Sequence, residues 1–382
     1  MVNELSSGII KLGIQILNEG SLEKRGKSGV IDYTNDDPSL IASVYTLVKY
    51  IDRNSHVNLL LKSDYTGFRL HIWSDTIWNT LLSLGFTHGA KTEHVNALAK
   101  FVRDYIIPNR ELWNYYKAYT LAEDGTIDLR ISNERLYGQI WLCRAIDLTA
   151  FLDDDIRKIV YLAIPKGQRV VGRKNIQKRL GTHVYKTIVE IGHPLLHAEK
   201  HIFDFNISLY TIYVTKDGKI RAKWAGYKTW AGSNITKFAR ELQTLLQNLP
   251  PKSWCTLKIK IMLEVISCAP TRCLSPTEVK TIKDMIDMTK IQRKGKLLYE
   301  LNWINALSEI RSFMSKELMK RLISTEFITK MFPALIKHIS MPHNDTINYI
   351  RLLIKRSLGL CLIHISEPTR PLYISYAVFC LK

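Results

Sequence analysis

Apolar residues in this chain come in short runs, each fenced by a residue type that starts or stops a helix or strand. No run approaches the roughly 20 apolar residues that a membrane-spanning helix requires. Burial must therefore come from many short elements packed together. Asp37-Pro38 supplies an N-cap and a first-turn proline for a helix reaching about residue 51. Ser74 caps a helix over 77–84, Thr92 one over 95–106, and Pro108 breaks the second. Ser275-Pro276-Thr277-Glu278 is a capping box that opens a helical region with segments over 279–288, 297–323, 327–339 and 346–358.

Between these markers the spacing predicts the rest. Ile9, Ile10, Ile14 and Leu17 fall on one face of an opening amphipathic helix, followed by a polar linker over 20–29. Short strands are expected over 56–61, 68–73 and 127–131, on either side of a Tyr- and Trp-rich helix over 111–121. Ser132 reads as the cap of a long helix to about 152, with Leu136, Ile140, Leu142 and Ile146 inward. Strands follow over 159–164, from about 202 to 214, over 220–224 after the turn Lys216-Asp217-Gly218, and over 254–263. A helix from Ser233 to about 246 ends at Pro250-Pro251. No internal repeat or low-complexity segment is evident. The expected fold is α+β and helix-rich, with helical N- and C-terminal regions flanking a small central antiparallel sheet. Its divisions are 1–152, a basic central region 153–265, and a helical 266–359 cut short.

Charge narrows the function. The chain carries a formal +19 with a pI near 9.5, while 46% apolar residues, 8 Trp and 18 Tyr make it globular. Such an excess fits a polyanionic partner, nucleic acid ahead of an anionic membrane. Between Asp155 and Glu190 there are nine cations and no acid: Arg157, Lys158, Lys166, Arg169, Arg173, Lys174, Lys178, Arg179 and Lys186. A solvated helix face would mix signs. Gly167 and Gly172 let backbone approach a phosphate, and arginine forks grip it in bidentate fashion. A second cluster interleaves Lys216, Lys219, Arg221, Lys223, Lys228 and Lys237 with Trp224, Tyr227 and Trp230, a pattern suited to tracking phosphates and stacking bases.

Other constellations are weaker. On a helix His193, His197 and His201 would share a face with Glu199 nearby, a candidate metal set, though Pro194 makes His193 more naturally a helix cap. Asp153-Asp154-Asp155 could hold magnesium but reads more simply as a turn or cap. No phosphate loop, dinucleotide-binding glycine pattern or nucleophile elbow is present, and no cofactor is expected. Cys143, Cys255, Cys268 and Cys273 lack zinc-finger spacing and fit a reducing, intracellular compartment; no signal peptide is apparent.

The last residues stand apart. Residues 362–370 (Leu-Ile-His-Ile-Ser-Glu-Pro-Thr-Arg) resemble the translated frame of a sequencing-library adapter, and 374–381 its flow-cell primer. On that resemblance 360–382 carry no function, and removing Arg370, Lys382 and Glu367 leaves +18.

The expectation is therefore a nucleic-acid-binding protein, RNA ahead of single-stranded DNA, of viral or mobile-element type, with homo-oligomerisation left open. Its contacts would be Lys166, Arg169, Arg173, Lys174, Lys178 and Arg179, then Lys219, Arg221, Lys223, Trp224, Tyr227, Lys228 and Trp230. The alternatives are a metal-dependent nuclease or nucleotidyl enzyme using the His193–201 or Asp153–155 segments, and a capsid-like protein with a basic interior face.

Overall fold

The computed structural model describes residues 4–25, 28–269 and 273–360; of the adapter-like residues 360–382, all but Leu360 lie outside them. Two antiparallel sheets, not one small central sheet, organise the chain. The first half runs α1 (Glu4–Glu19), β1 (Gly20–Arg25), β2 (Ser28–Asn35), α2 (Pro38–Ile51), β3 (His56–Leu61), β4 (Phe68–Trp73) and α3 (Asp75–Ser83). Its four strands lie in the order β1-β2-β4-β3. After α4 (Val95–Phe101), which continues as one π turn to Ile106, the second half begins with α5 (Glu111–Glu123), β5 (Gly125–Ser132) and β6 (Arg135–Asp147). It continues through α6 (Asp154–Ala163), β7 (Arg169–Val171), α7 (Arg173–Leu180), α8 (Thr182–Ile191) and α9 (Pro194–Phe203) to β8 (Asn206–Val214), β9 (Ile220–Ala231) and α10 (Ile235–Leu246). Its sheet has the order β5-β6-β9-β8-β7.

Set β7 aside and the two orders are the same. Each half is a helix, a hairpin, a crossover, a second hairpin and a closing helix, so the fold contains an internal repeat that the sequence does not advertise. The equivalence extends to single residues. Gly20 and Gly125 each end a helix and start a strand, and a Cβ on either would lie 2.8 Å from the Cα of the residue four back, Ile16 or Leu121. In the hairpins Gly20 pairs with Tyr33 and Gly125 with Leu142, which makes Asn35 the counterpart of Arg144.

Several sequence expectations change, α1 because it is buried on nearly every side and β6 and α6 because a short apolar run fits two periods. α1 and α5 pack on each other at the centre, so α1 is buried on nearly every side: Leu12, Ile14, Gln15, Ile16 and Leu17 are all closed off. The single apolar stripe read from Ile9, Ile10, Ile14 and Leu17 is too narrow a description. Residues 20–25 and 28–29 belong to the paired strands β1 and β2 where a linker was expected over 20–29, and β6 replaces the helix read after Ser132. Its even-numbered Leu136, Ile140, Leu142 and Ile146 line the core at period two, a spacing that also satisfies part of a helical pattern. Conversely residues 159–163 fall in α6, with Ile164 as its C-cap, and 254–263 in α11 (Trp254–Cys268).

A bundle of α11, α12 (Pro276–Asp287), α13 (Gly295–Ile310), α14 (Lys316–Leu322), α15 (Thr325–Met331), α16 (Pro333–His338) and α17 (His343–Ser357) completes the molecule. It docks on the first half at Asp36-Asp37. Asp37 caps α2 through the Ser39 amide and accepts the Trp254 amide at 2.7 Å, while Trp303 Nε1 donates to the Asp36 carbonyl at 2.7 Å. The expected capping box at Ser275 and Glu278 forms with both its hydrogen bonds. No described helix is long and apolar enough to cross a membrane.

Candidate functional site

The face of the five-stranded sheet turned away from the helical core is open. Along β6 the odd residues Tyr137, Gln139, Trp141, Cys143 and Ala145 are half-exposed while the even ones are buried. Register carries this alternation across the sheet. Trp141 sits opposite Tyr227, Ala145 opposite Lys223, and Asp147 opposite Arg221. Arg221 in turn neighbours Tyr213 on β8, and Tyr213 pairs with Arg169 on β7. Arg169, Arg221, Lys223 and Tyr227, drawn from the two basic clusters of the sequence, thus lie on one surface.

Sheet alternation separates the other expected contacts from these. Trp224 and Trp230 face the opposite way and are core residues, 3% and 9% exposed, and Trp230 packs on Phe238. Neither can stack on a base from there. Lys228 pairs with Asp204 at 2.8 Å and Lys219 with Glu93. Lys166, Arg173, Lys174, Lys178 and Arg179 are exposed on and before α7, beside the β7 edge. Of the six cations from 166 to 179, only Arg179 has a described protein partner, the Ala163 carbonyl that it meets at 2.7 Å. Trp141, Tyr210 and Tyr227 cluster on the open face, which Tyr137 and Tyr213 share. Trp141 lies 5.4 Å from Tyr210, edge-on, and 6.2 Å from Tyr227, stacked. Sequence reading missed Trp141 because it placed 132–152 in a helix, and Tyr210 because the irregularity between Leu209 and Thr211 turns it outward.

A second feature lies where the two halves meet. α1 ends Asn18-Glu19-Gly20 and α5 ends Glu123-Asp124-Gly125, so the repeat brings two acid-tipped helix ends together. Repeat-equivalent residues touch: Asn18 donates to Glu123 at 2.9 Å. Burial, reinforced by the negative charge of Asp124, pushes the Glu19 carboxyl up to about 7. Burial also lifts Glu123 well above the carboxylate range, and Tyr33 donates to it at 2.6 Å. Two cations face this group. Lys91 reaches the Asn18 carbonyl at 2.6 Å, with burial holding its amine down to about 8 against the pull of Asp124 and Glu19. Arg144 is buried and bonds Asp124, Asn18 at 2.9 Å and Glu199 at 2.6 Å. Burial works against its charge, but Glu199 and Asp124 more than offset that and hold its proton firmly.

The remaining candidates resolve as local structure. His193 is fully buried and caps α9, its Nδ1 accepting the Leu196 amide at 3.3 Å; burial pushes it down to about 4. Glu199, on the same helix, belongs to the Arg144 network. Asp153 caps α6 by accepting from the Ile156 amide at 2.7 Å, as a helix start favours. Among the described residues no group of three or more His, Cys, Asp and Glu is arranged to hold a metal ion. Neither a protein-family model nor a curated protein matches the chain.

Proposed function

We propose that the protein binds nucleic acid along the open face of its five-stranded sheet and the adjoining helix α7. The observation that supports this most is the convergence of Arg169, Arg221 and Lys223 on one exposed sheet face beside the Arg173–Arg179 helix. The acids of that face are already engaged. Asp128 pairs with Lys290 at 3.7 Å, and Asp147 is buried with its carboxylate on the Thr149 amide. A face with cations to spare and no competing carboxylate attracts phosphates without regard to sequence. Filter binding across a salt series tests the proposal. Replacing Arg169, Arg173, Lys174, Lys178 and Arg179 together by Ala should lower the log–log salt slope by as much as about 4, at roughly 0.7–0.9 per lost phosphate contact. No binding at low salt, or an unchanged slope, overturns it.

The paired helix ends favour a second reading, metal-dependent phosphodiester cleavage. Each half offers one acid, Glu19 and Asp124, beside the axis of the repeat, and the strands of a duplex are themselves related by dyads. A magnesium ion there would take one or two carboxylates and complete its shell with phosphate oxygens and water, so a preformed three-ligand cage is not required. The protein would supply the acids, and Lys91 a cation for charge that develops on the phosphate. With magnesium and a randomised duplex pool, Glu19→Gln and Asp124→Asn should each abolish cleavage and spare binding. Intact pool after wild-type treatment, or unimpaired cleavage by both variants, removes this reading and leaves binding standing.

A further inference from the structure

The aromatic residues of the open face point to a narrower class of partner. Trp141, Tyr210 and Tyr227 form one ring cluster with no described element covering it, and Tyr210 is 38% exposed. Small side chains, Cys143, Ala145 and Ala225, occupy the sheet between these rings and Lys223. Trp141 is held in place by its indole N–H, which donates to Cys143 Sγ at 2.8 Å. An exposed aromatic cluster on a monomer surface is costly unless something covers it, and charge decides what that occupant is. Lys223 and Arg221 flank the rings on one side. On the other, Arg130 lies 5.8 Å from the Tyr137 ring, and Tyr137 precedes Trp141 on the open side of β6 with Gln139 between them.

We infer that the open face of the five-stranded sheet takes unpaired nucleotides, whose bases stack on Trp141, Tyr210 and Tyr227 while Lys223, Arg221 and Arg130 meet their phosphates. In a paired duplex the base faces are already stacked on each other and only edges are offered. Exposed rings gain most from bases that lack a stacking partner, by an amount largely independent of sequence. A second copy of this chain would set the cations of this region against another chain of net charge +19. The inference rests on the nucleic-acid reading above and specifies its ligand.

The test compares an oligouridylate with a blunt duplex of equal length, by anisotropy, on the full chain. Trp141→Leu and Tyr227→Leu should each weaken oligouridylate binding roughly ten-fold or more and change duplex binding less than about two-fold. Trp141→Phe should retain most of the affinity, which separates loss of a ring from loss of fold. Duplex bound but oligouridylate not bound overturns the inference and leaves the broader reading intact. Equal losses on both ligands, or no loss on either, also overturn it. Binding to neither ligand overturns both.

Discussion

The two halves of the molecule share a topology and differ in what fills the crossover between hairpins. In the first half the crossover is one helix, α2, capped by Asp37 and covered by the C-terminal bundle. In the second it is a chain of α6, β7, α7, α8 and α9 that adds a strand to the sheet and carries the basic run. The corresponding face of the first sheet is different. There His71 pairs with Asp32 at 3.1 Å, and Trp73 is flanked by His56 and His71. One scaffold, used twice, thus keeps its helix ends symmetric while concentrating cations and open rings on a single side. The constraint that is repeated is backbone geometry; the chemistry is not.

Removing Arg144 should break the comparison most severely. Its counterpart Asn35 is uncharged, its side chain accepting the Asp37 amide at 2.8 Å and donating to the Tyr33 hydroxyl at 3.5 Å. Arg144→Met would leave Glu199, fully buried, facing Asp124 without a counter-charge, a loss of about 3–5 kcal/mol. Asn35→Ala should cost markedly less in the same denaturant titration. Equal losses would mean that the second half does not depend on its buried ion network.

The glycines sharpen the symmetry. Gly20→Ala and Gly125→Ala each drive a Cβ to 2.8 Å from backbone. Each should cost about 1–3 kcal/mol, and by similar amounts, because a Cα as well as a side-chain tip of the same helix must give. A clear inequality in unfolding midpoints at constant slope would show that the two helix ends are not mechanically equivalent.

The smallest effect is in pH. Glu19 has its folded pKa raised to about 7 from an ordinary 4.5. The folded state therefore binds the extra proton, and the stability this contributes is full below about 4.5 and lost as pH rises through 7. Asp37, also raised to about 7 by burial, acts in the same direction from about 4. Glu19→Gln should flatten part of the fall in stability between pH 4.5 and 7. A slope identical to wild type would show that Glu19 is ionised without cost in the fold.

Local chemistry was readable where one residue settles one element. Asp37-Pro38, Ser74, Asp153 and Ser275 cap helices as their side chains require, and the turn at Lys216-Asp217-Gly218 joins β8 to β9. Reading failed where a short apolar run satisfies two periods at once, as in β6 and α6, because only the partner element shows which side chains are inward. The site followed the same division. The cations from 166 to 179 were visible as a charge block, whereas membership of the rings depended on strand parity. Trp224 and Trp230 lost their place by parity, while Trp141 gained its place because β6 is a strand and Tyr210 through the irregularity in β8. The acid–glycine pairs Glu19-Gly20 and Asp124-Gly125 were both in view, but at an offset of 105 positions nothing in the chain relates one to the other.

What the sequence determined by itself was composition and local geometry: a basic, globular, helix-rich chain, its capped helix starts, and one segment with cations in excess. Those properties follow from side chains acting on their own backbone or on bulk solvent. Tertiary structure decided what depends on distant partners: the repeat, the meeting of Glu19 with Asp124, and the choice of rings on the open face. A β-strand presents its residues to opposite sides at a period of two, so a one-residue change in where it starts exchanges surface for core. Only the pairing of β6 with β9 fixes that start.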